Sequence, residues 1–346
     1  MTRTRILWTM VALCLTVGGG SALAADSAEL KALHEAAKKE GKVLMAAGMP
    51  PKALKALRNG FNKRFPGVKA KVIASTGSNA ASRILTEAKV GNATIEVAQT
   101  TTASGQPLLD AGLVQSLDYA KTFGVPQKGI LFENRFVPWF DLVYVMAYNT
   151  KKLKRDQVPT TWEGMADPKW KGRKLVLIAR GHPFQYLPKV WGEEKVLDLA
   201  TRLKAQDPIM TPRGGAQVIE AIVSGQALIG PIHLNRVLTA KVLKKAPIDY
   251  VWLNVTPVLN FYSYAVNKVA NPNAAKLMAG WLATPEAGQI MEKHSFRALT
   301  SLESGSETGK LLAASKTRAV NTAVTVKMAR QEKVWQNKLR KIFVGK

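Results

Sequence analysis

Cationic and hydrogen-bonding side chains recur where predicted strands pass into predicted helices. These side chains are Arg180 and His182 after one strand, Arg213 before a helix, and His233, Asn235 and Arg236 at a third turn. Arginine binds carboxylates and phosphates through a planar fork that makes paired, charge-assisted hydrogen bonds. Taken singly, each arginine suits an ordinary surface position. Taken together, Arg180 and Arg213 favour contact with an anionic ligand.

Hydroxyl and amide side chains form a second polar group, in the first half of the chain. The stretch Val72–Ala98 reads as strand, polar loop, helix and strand, because apolar residues recur with helical spacing between Ala81 and Ala88. Such a loop places backbone N–H groups and hydroxyls at the positive end of a helix, which suits an anionic or carbonyl-bearing ligand. Ser78 would equally serve as a simple helix cap. The predicted ligand-facing residues of this half are Ser75, Thr76, Ser78, Asn79, Thr101 and Thr102.

Alternating strand and helix patterns must position these groups. Two βαβ units in a row predict an α/β fold with a mainly parallel sheet flanked by helices. Ligands on such sheets bind at the carboxyl ends of the strands. The elements of these units are a helix at Ala28–Lys39, a strand at Lys42–Ala46, a helix at Lys52–Phe65 and a strand at Val68–Ile73.

The length of the chain predicts two lobes. Its 346 residues exceed the roughly 250–300 over which a single core keeps growing. We expect lobe 1 to comprise residues 25–138 plus about 258–305, and lobe 2 about 139–257 plus a C-terminal helix within 306–346. The lobes would close about two extended crossovers, Phe136–Tyr148 and Trp252–Val266. Tyr262, on the second crossover, would either close one wall of the cleft or pack at the hinge.

The first 24 residues predict a cleavable signal peptide. Met1–Arg5 carries two arginines, Ile6–Val17 is almost wholly apolar, and the Ala22-x-Ala24 pattern predicts cleavage after Ala24. The apolar run is shorter than the ~20 residues that span a bilayer. We therefore expect a soluble periplasmic protein. Because Cys14 is the only cysteine, the mature chain must be stable without disulfides.

The chain is strongly basic, with 50 lysines and arginines against 24 aspartates and glutamates and a formal net charge of +26. Such a balance indicates nucleic acid, anionic membranes or acidic small molecules as partners. The basic residues are spread along the chain without a nucleic-acid-binding signature, so we expect no nucleic-acid partner and interpret most lysines as a solvated surface. The sequence lacks HExxH, GxSxG, Walker and CxxC motifs. We therefore expect no enzymatic activity and no cofactor.

Several longer segments carry a family resemblance. They include KKEGKVLMAA at Lys38–Ala47, VPTTWEGMADPKWKGRKLVL at Val158–Leu177 and ANPNAAKLMAGWLATPEAGQIM at Ala270–Met291. Over nearly all of the mature chain they resemble the periplasmic substrate-binding proteins of ABC importers, in particular the ferric-iron-binding-like extracellular solute-binding group. The resemblance implies a two-lobed type II periplasmic binding fold. It also implies that the partners are the transmembrane permease subunits of an ABC importer and their ATPase. We expect the protein itself to be a monomer.

The resemblance also implies where a metal would bind, and those positions differ here. Ferric binders of this group use two adjacent tyrosines, and the matching residues are Ile232 and His233. Thr101 stands where a family carboxylate ligand follows the third strand, and Met49 stands near a family histidine. Ferric iron needs anionic oxygen donors, which these side chains do not supply. Since the family's anion site matches the loop at Arg180–His182, we expect a metal-free cleft for a phosphorylated, phosphonate or carboxylate solute.

Three alternatives remain open at the level of sequence. One is ferric iron, brought as a chelate or bound by tyrosines such as Tyr144 or Tyr262. Another is an exported enzyme on the same fold, which a pair of carboxylates lining the cleft would support. The last is a sensor subunit or adhesin that uses its basic surface to bind anionic polymers.

Overall fold

The computed structural model describes residues 26–212, 214–299, 305–322 and 325–345. The predicted signal peptide, residues 1–24, and the predicted ligand-facing Arg213 lie outside the described residues. Within the described parts of the chain, none of the helices combines the length and the apolar character needed to cross a membrane.

The two helices predicted at Ala28–Lys39 and Lys52–Phe65 are confirmed with shifts of at most one residue at their ends. Helix α3 begins at Gly77, inside the stretch predicted to be a polar loop. The helices are α1 Ala28–Glu40, α2 Pro51–Arg64, α3 Gly77–Lys89, α4 Thr102–Asp110, α5 Tyr119–Phe123, α6 Pro188–Trp191, α7 Glu193–Lys204, α8 Gly215–Val223, α9 Leu234–Leu238, α10 Pro272–Trp281, α11 Pro285–Ser295, α12 Glu307–Ala314 and α13 Val326–Val344.

The strands form one large sheet and one small one. In the large sheet the order is β2-β1-β3-β9-β4-β7, with β8 paired to β4 and β10 to β9, while β5 and β6 pair separately. The strands are β1 Lys42–Ala47, β2 Lys69–Ala74, β3 Val97–Thr100, β4 Val137–Asn149, β5 Val176–Ile178, β6 Ile209–Thr211, β7 Ile229–His233, β8 Ile248–Val251, β9 Val255–Ala265 and β10 Arg318–Asn321.

Two long strands connect the two halves of the molecule. Strand β1 runs parallel to β2 and β3, whereas β9 is antiparallel to β3 and β4, and β4 is antiparallel to β7. Strands β4 and β9 are the predicted crossovers, and they pair with each other in the middle of the large sheet, with β3 on the other side of β9 and β7 on the other side of β4. The predicted two-lobed α/β fold is confirmed, with antiparallel crossovers between parallel βαβ units.

Buried apolar residues form separate clusters on the two sides of these crossovers. Phe61 and Trp281 belong to clusters built from residues before 143 and from 259–291. Trp162 and Phe184 belong to clusters built mainly from residues 143–258. We call these two parts lobe 1 and lobe 2, and the bounds given above for the lobes remain a prediction.

The C-terminal helix α13 is anchored in lobe 2 and reaches lobe 1. Leu339 and Phe343 are fully buried in the lobe 2 core. The helix contacts α7 and the 3₁₀ turn Phe184–Tyr186, and it also contacts α4 of lobe 1. It therefore lies across the junction of the lobes.

Gly181 is the point where α13 approaches the backbone of lobe 2 most tightly. Its φ is +84°, and an added Cβ would lie 2.8 Å from Leu339 Cβ. We expect Gly181→Ala to lower the free energy of unfolding by about 2–4 kcal/mol in a urea titration, since left-handed backbone costs ~1–2 kcal/mol and overpacking ~1–3 kcal/mol. Gly172→Ala is the matched control, because φ is +81° and nothing lies within 4 Å of its added Cβ. Equal losses for the two variants would contradict close packing of α13.

Candidate ligand-binding cleft

A cavity of about 1090 Å³ opens between lobe 1, lobe 2 and helix α13. Crossover residues Leu142, Leu259 and Phe261 also line it. Six cationic side chains line the cavity against one carboxylate, that of Glu332, among the described residues. The cationic residues are Arg180, Arg236, Arg297, Arg330, Lys333 and Arg340.

The lobe 1 wall is formed by the N-termini of α3 and α4. Thr76 caps α3 by accepting a hydrogen bond from the Asn79 backbone N–H at 3.3 Å. Thr101 caps α4 in a capping box with Ser104, whose hydroxyl lies 2.7 Å from that of Thr101. Gly77 allows α3 to start here, because an added Cβ would lie 2.7 Å from Gln99 O. Two helix N-termini thus bring partial positive charge to the same wall.

Arg297 and Arg236 are the most deeply placed cations of the cavity. Arg297 is 8% exposed, and its Nη1 donates a hydrogen bond to Gly48 O at 2.9 Å, while its Nε has no partner. Burial and the nearby charge of Arg236 lower the pKa of Arg297 to about 10. Burial also lowers the pKa of Arg236. Its side chain packs against Gly215, where an added Cβ would lie 2.6 Å from Arg236 Nε.

Neither arginine of this pair has a carboxylate within 4.0 Å in the described parts of the chain. Buried charges are normally paired or neutralised, because their desolvation is expensive. Two neighbouring guanidinium groups without a counterion are therefore suited to hold an anion.

His233 and Asn235 add unused hydrogen-bonding groups beside the arginine pair. Neither ring nitrogen of His233 has a partner, and its ring lies 4.2 Å from that of Tyr144. Burial, then the charges of Arg236, His182 and Arg297, hold the pKa of His233 well below 6.5. The imidazole is neutral at pH 7 and can both donate and accept a hydrogen bond. Asn235 is 9% exposed, and its Oδ1 has no partner.

His182 joins lobe 2 to helix α13. Its Nδ1 lies 2.9 Å from Gln185 Nε2, and its Nε2 lies 3.0 Å from Gln336 Nε2 on α13. Burial lowers the pKa of His182 to about 4, with further contributions from the charges of Arg180 and Lys333. His182 is therefore uncharged at pH 7, although it lines the same cavity as the six cations.

Helix α13 supplies a third wall that the sequence did not reveal. Arg330, Lys333 and Arg340 line the cavity from this helix. Glu332 is paired with Lys189 of lobe 2 at 2.6 Å, and their side chains are 9% and 14% exposed. The helix therefore brings positive charge to the cleft while its one lining carboxylate is already paired.

The structure brings most of the predicted ligand-facing residues to this cavity. Those that line it are Thr76, Ser78, Thr101, Thr102, Arg180, His182, His233 and Asn235. Whether they bind the ligand remains a prediction.

Three other predicted residues are not among the described residues that line the cavity: Ser75, Asn79 and Tyr262. Tyr262 is 4% exposed, and its ring lies 6.1 Å from that of Phe136 in the lobe 1 core. Its position fits the packing alternative and not the wall of the cleft. Asn79 takes part in the cap of α3 through its backbone, and Ser75 Oγ lies 3.4 Å from Thr76 O.

The donors that ferric iron would need are present only in part. Among the described residues, no group of three histidines, cysteines, aspartates or glutamates could hold a metal ion. Tyr186 lines the cavity, with its hydroxyl 3.4 Å from His182 Nδ1, and its ring lies 6.3 Å from that of Tyr144. Burial raises the pKa of both phenols, so they are protonated at pH 7. Neutral donors beside cations are poorly suited to bare Fe(III).

Solved structures with the same fold cover most of this chain. Iron-bound HitA from Pseudomonas aeruginosa is 17% identical with a TM-score of 0.71, over 87% of this chain and 99% of that protein. The IdiA (FutA) protein of Trichodesmium, solved with iron and citrate, is 18% identical with a TM-score of 0.67, over 87% and 98%. A substrate-binding protein of an ABC transporter from Agrobacterium tumefaciens is 16% identical with a TM-score of 0.70, over 88% and 97%. At these identities the likeness shows the fold.

Sequence comparison gives the family more directly. No curated protein is significantly similar to the chain. The family model described as "Bacterial extracellular solute-binding protein" matches residues 56–301. This match spans more than two thirds of the sequence. The chain belongs to the family of bacterial extracellular solute-binding proteins.

Proposed function

We propose that this protein captures a small anionic solute, a phosphorylated, phosphonate or carboxylate compound, and delivers it to the permease of an ABC importer in the periplasm. The observation that carries the proposal is the Arg236–Arg297 pair, which has no carboxylate within reach in the described parts of the chain. An anion bound there neutralises two cations that otherwise repel each other.

The neighbouring groups support the same ligand chemistry. Neutral His233 donates one hydrogen bond to an anionic oxygen, and Asn235 orients toward a hydroxyl or N–H of the solute through its free Oδ1. From lobe 1, the N-termini of α3 and α4 face the same cavity with Thr102 and Ser78. Lobe closure would then surround the anion with donors from both lobes.

Catalysis has little support from the cavity. Glu332 is the one carboxylate among the described lining residues, and it is paired with Lys189. An acid and base pair of carboxylates is thus missing from the described lining. The protein is proposed to bind and release its solute unchanged.

Ferric iron is the second candidate, and one observation favours it. Tyr186, His182 and His233 line one cavity, and Tyr144 lies against His233. Two proteins with this fold were solved with iron. Against bare iron stand the adjacent cations and the protonated phenols. An anionic ferric chelate would satisfy the arginines without needing protein ligands.

A thermal-shift comparison of the purified mature protein separates the candidates. We expect phosphonates, phosphate esters or carboxylates to raise Tm, because a ligand that binds only the folded state stabilises it by mass action. Ferric nitrilotriacetate is tested beside nitrilotriacetate alone, so that an effect of the chelator is recognised. If ferric iron raises Tm beyond its chelator while no organic anion does, the anion proposal is wrong.

A further inference from the structure

Four of the six described cations that line the cavity form two pairs, one near His233 and one near His182. The inner pair is Arg236 and Arg297, described above. The outer pair is Arg180, on the loop after β5, and Lys333, on α13. Arg180 and Lys333 are exposed, as expected at the mouth of a cleft.

The two pairs act on different imidazoles. The pKa of His182 is lowered by the charges of Arg180 and Lys333, after the larger effect of burial. The pKa of His233 is lowered by Arg236, His182 and Arg297, again after burial. Arg180 is two residues before His182 and Arg236 is three residues after His233, so each pair of cations has a member close in the chain to one of the two imidazoles that line the cavity.

The outer pair is held in place by packing and hydrogen bonding. Gln336 lies one turn after Lys333 on α13 and is 3.0 Å from His182 Nε2. Leu339 of the same helix packs on Gly181, which separates Arg180 from His182 in the chain. Two contacts between α13 and the same loop therefore hold the backbone that carries Lys333 against the backbone that carries Arg180.

The outer cations also lack a counterion. In the described parts of the chain, neither Arg180 nor Lys333 has a carboxylate within 4.0 Å, although Glu332, next to Lys333, is paired with Lys189. The cavity of about 1090 Å³ is slightly larger than the ~300–1,000 Å³ of most small-molecule sites. A single phosphate or carboxylate group at the inner pair would leave the outer pair unused.

We propose that the solute carries two anionic groups on one elongated skeleton, as in an α,ω-dicarboxylate or a phosphonocarboxylate. The inner group binds Arg236 and Arg297, and the outer group binds Arg180 and Lys333. This inference rests on the proposed function and adds a second subsite, to which the C-terminal helix contributes. Helix α13 thereby determines which anions bind.

Calorimetric titration with matched probes tests the second subsite. The probes with two anionic groups, called two-headed, are 3-phosphonopropionate, 4-phosphonobutyrate, succinate, glutarate and adipate. The probes with one anionic group, called one-headed, are methylphosphonate and butyrate. We expect the best two-headed probe to bind at least about tenfold more tightly than its one-headed counterpart, since hydrogen bonds to charged groups are strong. Lys333→Gln should reduce this advantage, because it should weaken the two-headed probe by a larger factor than the one-headed probe.

Lys341→Gln is the matched control, because Lys341 is exposed on the same helix and is not among the described lining residues. It should leave every affinity unchanged. If two-headed and one-headed probes bind the wild type equally, or if Lys333→Gln weakens both equally, the second subsite is wrong and the proposed function stands. If no probe binds the wild type while ferric iron does, the proposed function fails, and this inference with it.

Discussion

Arg297→Met is expected to have opposite effects on binding and on stability. Binding of an anion should weaken by roughly 10- to 150-fold, because hydrogen bonds to a charged group contribute about 1.5–3 kcal/mol. The ligand-free protein should become more stable by up to about 3 kcal/mol. Replacing buried charges with apolar groups gains ~1–4 kcal/mol, and losing the bond to Gly48 O costs ~1 kcal/mol.

Both effects have the same physical origin. The Arg297 guanidinium is buried over the ring of Phe140, 5.0 Å from its centre, and is repelled by Arg236. Methionine fills similar space and makes favourable contacts with an aromatic ring. On the proposed function, the charge destabilises the empty protein and a bound anion compensates it.

Urea titration gives the stability of the Arg297 variant, and calorimetry with the best anion from the thermal-shift comparison gives its affinity. Arg202→Met, at an exposed position on α7, is the control and should change both by less than about 0.5 kcal/mol. A variant that loses stability and keeps its affinity would show that Arg297 is a structural residue.

Glu332→Gln is expected to lower the free energy of unfolding by about 3 kcal/mol. The substitution keeps the shape of the side chain and leaves Lys189 buried beside a neutral group, and removing one partner of a buried pair costs about 3–5 kcal/mol. Because the pair joins α13 to lobe 2, the helix should also become more accessible to protease. Urea titration and limited proteolysis measure the two effects.

Glu35→Gln is the control for this substitution. Glu35 pairs with Lys38 at 2.6 Å on the surface of α1, where both side chains are well exposed. Exposed pairs contribute little, so the variant should lose at most about 0.5 kcal/mol. A similarly small loss for Glu332→Gln would mean that the pair with Lys189 does not hold the helix to lobe 2.

The arrangement of strands and helices could be predicted because it follows from the local spacing of apolar residues. Apolar spacing located α3 and the strand that follows it, although Thr76 and not Ser78 caps the helix. The crossovers were visible as long apolar runs, and β4 is buried along its whole length. Strand-to-helix turns correctly marked where polar residues would meet, since parallel strands end at one edge of the sheet.

The inner cation pair could be predicted only in part. Arg236 shares a strand-to-helix turn with His233 and Asn235 and was visible for that reason. Arg297 follows α11 with no periodic or motif signal, and it reaches the cleft only because the chain returns beside Gly48. Such a contact spans 249 residues, and neither composition nor spacing reports it.

The role of α13 could not be predicted from its amphipathic pattern. Its basic residues read as a solvated face, which is the common arrangement for a terminal helix. Tertiary packing of Leu339 on Gly181 turns part of that face toward the cavity. Tyr262 shows the converse, because a residue on the second crossover is turned into the core.

Native mass spectrometry of the protein purified from the periplasm tests the central claim most directly. The account predicts a complex with one organic anion, without iron, and loss of that complex in Arg297→Met. A complex with one iron atom per chain and no organic anion, retained in Arg297→Met, would contradict the account.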